Sequence, residues 1–322
     1  MPVTAISDLE IFARIAAAGN MSAAGRDLGL SPAVISKRLS HMEERLGARL
    51  FQRTTRQLKL TEAGEGFYEK IVGILDNIEE AEAYVSALNH KVGGLLRVTA
   101  PVSFAREHIA PYLPEFLKRY PDLSIEFVLR DDMIDIVGES IDVAIRIAEL
   151  NDSSLVARKL APCRRVMCAT PEYLEKNGTP QSIADLHKHV CLTAGHRGVW
   201  KLMGPSGKLE TLRTTSRLRT NCGLLVHEAH IQGMGIAFRS TWAVSRELRS
   251  GQLRIVLPEY RENVGVAVHA VYPCRQYVPA KLKAFVDFLA QRYGPMPYWD
   301  RDLDFGADGR LRRVQPSIQA AE

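Results

Sequence analysis

The sequence predicts an α/β protein in three parts: a small helical unit ending in a basic hairpin, one long helix, and a larger domain in which strands and helices alternate. Three observations predict it. Residues 20–61 read as a helix, a Gly turn, a second helix opened by Ser31-Pro32, and a hairpin carrying Arg53 and Arg56. From Phe67 to Leu88 apolar residues follow one another at alternating steps of four and three. From Leu95 the pattern changes to strands such as 95–100, 124–130 and 142–147, separated by helical stretches. Such alternation implies a parallel sheet covered on both faces.

Composition sets the bounds. A chain of 322 residues suggests two or three domains, and 46% hydrophobic with 25% charged residues is enough for real cores. The net charge is +5. Over residues 1–60 nine Lys and Arg face five Asp and Glu, so most of that excess sits in the first fifth of the chain. A concentrated positive patch is the footprint of a phosphate binder. The five cysteines, at 163, 168, 191, 222 and 274, form no C-x-x-C pair and read as reduced thiols of a cytoplasmic protein. Residues 1–8 lack the basic start and long apolar run of a secretory signal. No stretch approaches the roughly 20 apolar residues that span a bilayer, so no membrane partner is expected.

The first helix is expected to open at Ser7, with Glu10 reaching back in a capping box. Leu9, Phe12, Ala13 and Ala16 then recur at helical spacing. Gly19-Asn20 breaks it, Ser22 caps the second helix, and Gly29 ends that one. Ser31 caps the third helix, with Pro32 at a position that needs no N–H. Ile35, Leu39, Met42 and Leu46 form its inward stripe, leaving Ala33, Ser36, Lys37 and Ser40 outward. A small, polar, cationic face suits a helix that must approach base edges closely. The hairpin around Thr54, Thr55 and Arg56 reads as a wing on a DNA backbone, with an ordinary surface hairpin as the alternative.

Thr61 opens the long helix. Phe67, Ile71, Ile74, Ile78, Ala81, Val85 and Leu88 form a heptad seam, which favours a partner helix from a second chain over packing on its own domain. Gly93-Gly94 marks the next boundary. Helices are expected near 106–119, 131–139, 171–176, 182–188, 223–232 and 279–293, and further strands at 166–169, 190–193, 213–220, 235–238 and 264–272. The residues after Gly294 are polar and read as a loose tail.

This order of parts resembles the LysR-type transcriptional regulators. The match covers about residues 5 to 295 and rests on Asp8–Phe12, Ser22–Leu28, Ser31–Lys37, Glu43–Gly47, Leu50–Arg53 and Thr61–Gly64. Gly25 stands where alanine is usual, and should loosen the second helix; Pro32 stands where glutamine is frequent. The resemblance implies a winged helix-turn-helix over 1–61, a dimerisation helix over 62–92, and a two-lobed effector domain over 93–295 that looks like a periplasmic binding protein. Lobe I would comprise about 93–162 and 267–295, lobe II about 163–266, with a flexible tail over 296–322 and crossovers near 162–166 and 258–266. It further implies a cytoplasmic homodimer assembling to a tetramer on double-stranded promoter DNA, with a small-molecule inducer between the lobes and RNA polymerase as a further partner. The DNA contacts would come from Ser22, Ser31, Pro32, Ala33, Ser36, Lys37, Arg38, Arg53, Thr54, Thr55 and Arg56. No cofactor, metal or catalytic residue is implied.

Ligands of open α/β sheets bind at the carboxyl ends of strands, near helix N-termini. That rule selects Val102, Ser103 and Phe104, Arg146, Thr193, the Asn221-Cys222 turn, and Phe238 with Arg239. Arg146 at a strand end can fork onto a carboxylate, making the inducer a small organic anion; it can equally pair with Asp142 or Glu149. Ser103 can equally be a helix cap.

Competing readings are weaker. Residues 95–293 alone would read as a solute-binding protein, but the basic N-terminal unit argues against it. Cys222 at a helix start suggests a redox sensor, though no resolving cysteine stands near it in sequence. His187/His189 and His227/His230 lack a completing ligand set. No GxSxG elbow, P-loop, GxGxxG or HExxH signature of an enzyme occurs.

Overall fold

A computed structural model of the chain describes residues 5–53, 58–88, 92–132, 135–136, 138–149, 155–193, 198–214, 216, 218–262, 266–274, 278–306 and 311–314. At the N-terminus Ile6–Ala18 (α1), Met21–Leu28 (α2) and Pro32–Leu46 (α3) close around Phe12, Ile15, Ile35, Leu39 and Met42. Phe51–Arg53 (β1) and Leu58–Leu60 (β2) pair antiparallel, Phe51 opposite Leu60. Glu62–Leu88 (α4) follows, capped by Thr61, whose Oγ1 accepts the Gly64 N–H at 3.0 Å.

Several local expectations change. α1 begins at Ile6, so Ser7 lies inside the first turn rather than capping it; its Oγ accepts from the Arg38 guanidinium at 3.1 Å. Asn20, not Ser22, caps α2, because its extended backbone lets Oδ1 accept from Ala23 N at 2.7 Å. Gly25 is not simply a loosened alanine. A Cβ there would stand 2.7 Å from the Leu30 carbonyl oxygen, so the close turn into α3 needs glycine. Leu46, in the last turn before the left-handed Gly47, is exposed rather than inward.

The chain continues through Gly94–Ala100 (β3), Val102–Phe104 (α5), Leu113–Arg119 (α6), Leu123–Leu129 (β4), Val143–Ala148 (β5) and Leu155–Pro162 (β6). Arg165–Ala169 (β7), Pro171–Asn177 (α7), Cys191–Leu192 (β8), Val199–Met203 (β9) and Leu209–Arg213 (β10) come next. Then follow Gly223–Ile231 (α8), Ile236–Ser240 (β11), Thr241–Ser250 (α9), Arg254–Val256 (β12) and Arg261–Glu262 (β13). Ala267–Pro273 (β14) and Ala280–Tyr293 (α10) return to the first series, and Leu303–Phe305 (β15) pairs with Leu311–Val314 (β16).

Two principal sheets result. One has the order β4-β3-β5-β14-β6; the other has β12-β7-β11-β8. Neither is purely parallel, against expectation. β14 runs antiparallel to β5 and β6, and β7 antiparallel to β11 and β12. The cause is the connection: the chain crosses between sheets directly instead of returning through a helix, and only helical crossovers force parallel neighbours. A third sheet, β10-β9-β13, carries a hairpin on the second lobe.

Other differences have physical causes. The expected helix over 131–139 is a series of turns among its described residues. Asp131 Oδ1 accepts the Val102 N–H at 3.1 Å, and such carboxylates compete with helical backbone pairing. The strand expected over 213–220 is cut short: β10 stops at Arg213, and Thr220 makes an isolated bridge. The amphipathic α9, with Val244 and Leu248 buried, is a helix the sequence reading does not include. The chain beyond residue 295 is not loose as far as Phe305. Tyr298–Asp300 forms a 3-10 turn, and Trp299 enters the first lobe's core beside Phe104, Phe116, Phe285 and Tyr293.

Candidate DNA interface and effector cleft

α3 is held from behind and open in front. Ile35, Leu39 and Met42 are buried in the N-terminal core, while Ser31, Pro32, Ala33 and Lys37 are exposed and Ser36 is half-exposed. Ser31 Oγ accepts the Val34 N–H at 3.4 Å, and Pro32 sits in the first turn. Ser22, on α2, is exposed as well. Arg38 is tied back to α1: besides Ser7 it pairs with Asp8 at 3.4 Å. Lys37 therefore carries the freer charge. Thr54, Thr55 and Arg56 lie outside the described residues, as does the Arg53 side chain.

The wing is seated by residues that its basic pattern hides. Glu43 Oε1 accepts N–H groups of Leu50 at 2.7 Å and Phe51 at 3.2 Å, joining α3 to the first wing strand. Thr61 Oγ1 donates to the Arg49 carbonyl at 2.7 Å. A Cβ on Gly64 would stand 2.1 Å from the Leu50 carbonyl oxygen. Gly64→Ala should therefore push α4 off the wing base, costing about 1–3 kcal/mol as an overpacked contact. Chemical denaturation of the full chain should show the lost stability, with weaker DNA binding; unchanged stability would mean the contact relaxes without strain.

Along α4 the heptad seam divides. Phe67 and Ile71 pack into the N-terminal core, with Phe67 and Phe12 ring centroids 5.0 Å apart. Ile74 is 44% exposed, Ala81 is exposed and Ile78 half-buried. The Val85 and Leu88 side chains lie outside the described residues. Arg14 on α1 also reaches the larger domain, donating to the Glu139 carbonyl at 2.9 Å.

Between the two principal sheets lies a cleft of about 440 Å³. Ser103 and Asn221 line it, with Asp131, Asp132, Arg165, Arg239 and Trp242. The other positions selected from sequence have different surroundings. Val102 gives its N–H to Asp131, Phe104 is buried in the first lobe's core, and Thr193 Oγ1 accepts from Trp200 Nε1 at 2.7 Å. Arg146 is buried behind the Asp131–Asp132 turn, donates to the Asp132 carbonyl at 3.2 Å, and does not line the cleft. Among the described residues Arg146 pairs with neither Asp142 nor Glu149; Asp142 instead meets Lys281 at 3.0 Å and accepts the Arg97 N–H at 2.8 Å.

The cleft's cations come from the second lobe. Arg165 opens β7 and Arg239 nears the end of β11, with Ser240 opposite Arg165 and Arg239 opposite Val166. They leave opposite faces of one sheet edge and line one cavity. Arg165 lies over the Phe238 ring at 4.7 Å and donates to the Phe238 carbonyl at 3.1 Å, so Phe238 is its platform. Arg239 donates to the Gly223 carbonyl at 3.3 Å, and its Nε has no hydrogen-bond partner among the described residues. Burial lowers the Arg239 pKa, and the Arg165 charge lowers it further. The Arg239 guanidinium, held out of water near a second cation, favours an anion beside it.

The thiols are quieter. None of the five cysteines forms a disulfide, and burial pushes Cys168 and Cys191 up to about 12. Cys222 is half-exposed at the start of α8, its N–H given to Thr220 Oγ1. Among the described residues no three His, Cys, Asp or Glu gather as metal ligands, and no helix is long and apolar enough to cross a membrane.

A winged helix-turn-helix joined by a long helix to a clefted two-lobed body defines a DNA-binding protein with a ligand-binding domain. Residues 6–65 match the bacterial regulatory helix-turn-helix proteins of the lysR family, and residues 89–294 match the LysR substrate binding domain. The HTH-type transcriptional regulator DmlR of Escherichia coli K12 is 37% identical over 292 residues, covering 89% of this chain and 94% of the relative. The HTH-type transcriptional activator TtdR of Escherichia coli K12 is 36% identical over 287 residues, 88% of this chain and 92% of that one. Among solved structures, the full-length Vibrio cholerae virulence activator AphB aligns with a TM-score of 0.61 at 26% identity, covering 88% of this chain and 98% of its own. CrgA, a LysR-type transcriptional regulator from Neisseria meningitidis, aligns with a TM-score of 0.58 at 30% identity, covering 88% and 97%. The chain belongs to the LysR family: it is a DNA-binding transcriptional regulator with an effector-binding domain, and not an enzyme.

Proposed function

We propose that this regulator responds to a small organic anion held between its lobes, with Arg239 and Arg165 as charge partners and Ser103 and Asn221 as hydrogen-bonding groups. The observation that carries the proposal is the Arg239 side chain: desolvated, beside a second guanidinium, with its Nε unpartnered among the described residues. Arg146 keeps a supporting role, bracing the Asp131–Asp132 turn that forms the opposite wall. On the DNA side, Ala33 and Ser36 meet base edges, while Lys37 and the wing residues Arg53 and Arg56 meet phosphates. Exposed Ile74 and half-buried Ile78, with Ala81, Val85 and Leu88, form the dimer contact, and dimers assemble to a tetramer on promoter DNA in the cytoplasm. RNA polymerase is the downstream partner.

Calorimetric titration with a panel of small mono- and dicarboxylates tests the effector assignment; tight binding of a neutral or cationic ligand alone would overturn it. The DNA assignment has its own test. Lys37→Ala should weaken binding to specific and non-specific duplexes alike and lower the salt slope by about one unit. Unchanged affinity and slope in gel shifts over a salt series would remove Lys37 from the phosphates.

A further inference from the structure

The segment from Pro297 to Phe305 lies past the end of the LysR substrate-binding match at residue 294. It crosses from one lobe to the other. Trp299, 1% exposed, sits in the first lobe's core, its ring centroid 5.2 Å from Tyr293 and 4.6 Å from His108. Four residues on, Leu303 enters a different core, with Val166, Cys168, Val244, Leu248 and Leu253 of the second lobe, and Phe305 packs against it.

Charged contacts fasten the same segment where the chain passes between lobes. Arg164 lies between β6 of the first sheet and β7 of the second. It pairs with Asp300, 1% exposed, at 2.6 Å, and its guanidinium lies 4.5 Å over the Phe305 ring. Arg249 on α9 pairs with Asp302 at 2.7 Å and donates to the carbonyls of Tyr298 at 3.2 Å and Trp299 at 3.3 Å. Tyr298 Oη meets His108 Nδ1 at 2.6 Å, and His108 Nε2 meets the Trp242 carbonyl at 3.1 Å. Burial holds the His108 pKa down to about 4, so near neutral pH the imidazole is uncharged: Nε2–H donates to Trp242 and Nδ1 accepts from Tyr298. Trp242 in turn lines the effector cleft.

We infer that residues 297–305 form a strap that spans both lobes and sets how far the cleft can open. Two lobes joined by crossover segments are free to hinge unless a further contact fixes their angle. The strap supplies such a contact, with a hydrophobic anchor in each lobe and ion pairs between them. This inference does not depend on which ligand the cleft takes.

Interlobe distance tests it directly. Nitroxide labels are placed at Lys118→Cys on α6 and Lys176→Cys on α7, both exposed positions, with Cys222→Ser and Cys274→Ser; the other three thiols are buried. Labelled full-length chain is diluted into unlabelled chain, and the distance distribution is read by double electron–electron resonance without ligand. The parent should give one narrow distance. Arg249→Ala, and separately a chain ending at Pro295, should lose that narrow peak and gain longer distances, with far-ultraviolet circular dichroism unchanged. Should the shortened chain fail to fold, Arg249→Ala decides alone, because it leaves Trp299 and Leu303 in place. A distribution in Arg249→Ala that matches the parent's in position and width would overturn the strap.

Discussion

Arg239→Ala is expected to abolish the response to the effector while leaving binding to DNA intact. The guanidinium reaches the cleft from the second lobe, far along the chain from α3 and the wing, so its loss touches ligand and not operator. A desolvated charged contact of this kind contributes about 2–5 kcal/mol. That range corresponds to roughly thirty- to several-thousand-fold in affinity. Arg239→Lys should recover only part of it, because an ammonium cannot reproduce a fork of donors. Arg146→Ala provides the contrast: buried behind the Asp131–Asp132 turn, it should disturb the cleft wall without removing a charge partner. Calorimetry with the carboxylate panel and gel shifts on the same preparations separate these effects. Equal anion affinity in wild type and Arg239→Ala would return the charge role to another residue.

Ile78→Asp is expected to dissociate the assembled regulator. In the single chain Ile74 is exposed and Ile78 half-buried, and neither belongs to the N-terminal core that holds Phe67 and Ile71. An apolar seam left open on a 27-residue helix needs a partner. A carboxylate placed in that contact would cost on the order of several kcal/mol per interface. Sedimentation should show smaller species, and DNA carrying two half-sites should be bound no better than DNA carrying one. An unchanged sedimentation coefficient would move the interface off α4. Ile71→Asp would test something else, since Ile71 supports the fold of the DNA-binding unit itself.

The N-terminal half was readable because its signals are local. A Pro at the start of α3, Gly at three helix ends and heptad steps along α4 each follow from a few neighbouring residues. The difference there is one of degree: Asn20 and Ser22 are both good caps, and the extended backbone at Asn20 decides between them. The effector cleft was harder, because its cations are set by strand direction. Arg239 lies near the carboxyl end of β11, where the strand-end rule points, but Arg165 stands at the beginning of β7. It reaches the cleft only because β7 runs antiparallel to β11, which no local pattern announces. Arg146 misled for the complementary reason. It sits near a strand end, but the Asp131–Asp132 turn covers it: the Asp131 carboxylate accepts a backbone N–H, and the Asp132 carbonyl accepts from Arg146 itself. The segment after Gly294 looked loose because its two anchors, Trp299 and Leu303, lie in different cores and show no periodicity.

Sequencing of genomic fragments retained by the purified full-length chain, with and without the anion that calorimetry identifies, addresses the central claim most directly. An anion-responsive LysR regulator should enrich a few sites, each carrying two related half-sites on one face of the duplex. Those sites should be lost with Lys37→Ala, and their protection pattern should change on adding the anion in wild type but not in Arg239→Ala. Uniform retention of all fragments, or a pattern that shifts equally in wild type and Arg239→Ala, would contradict it.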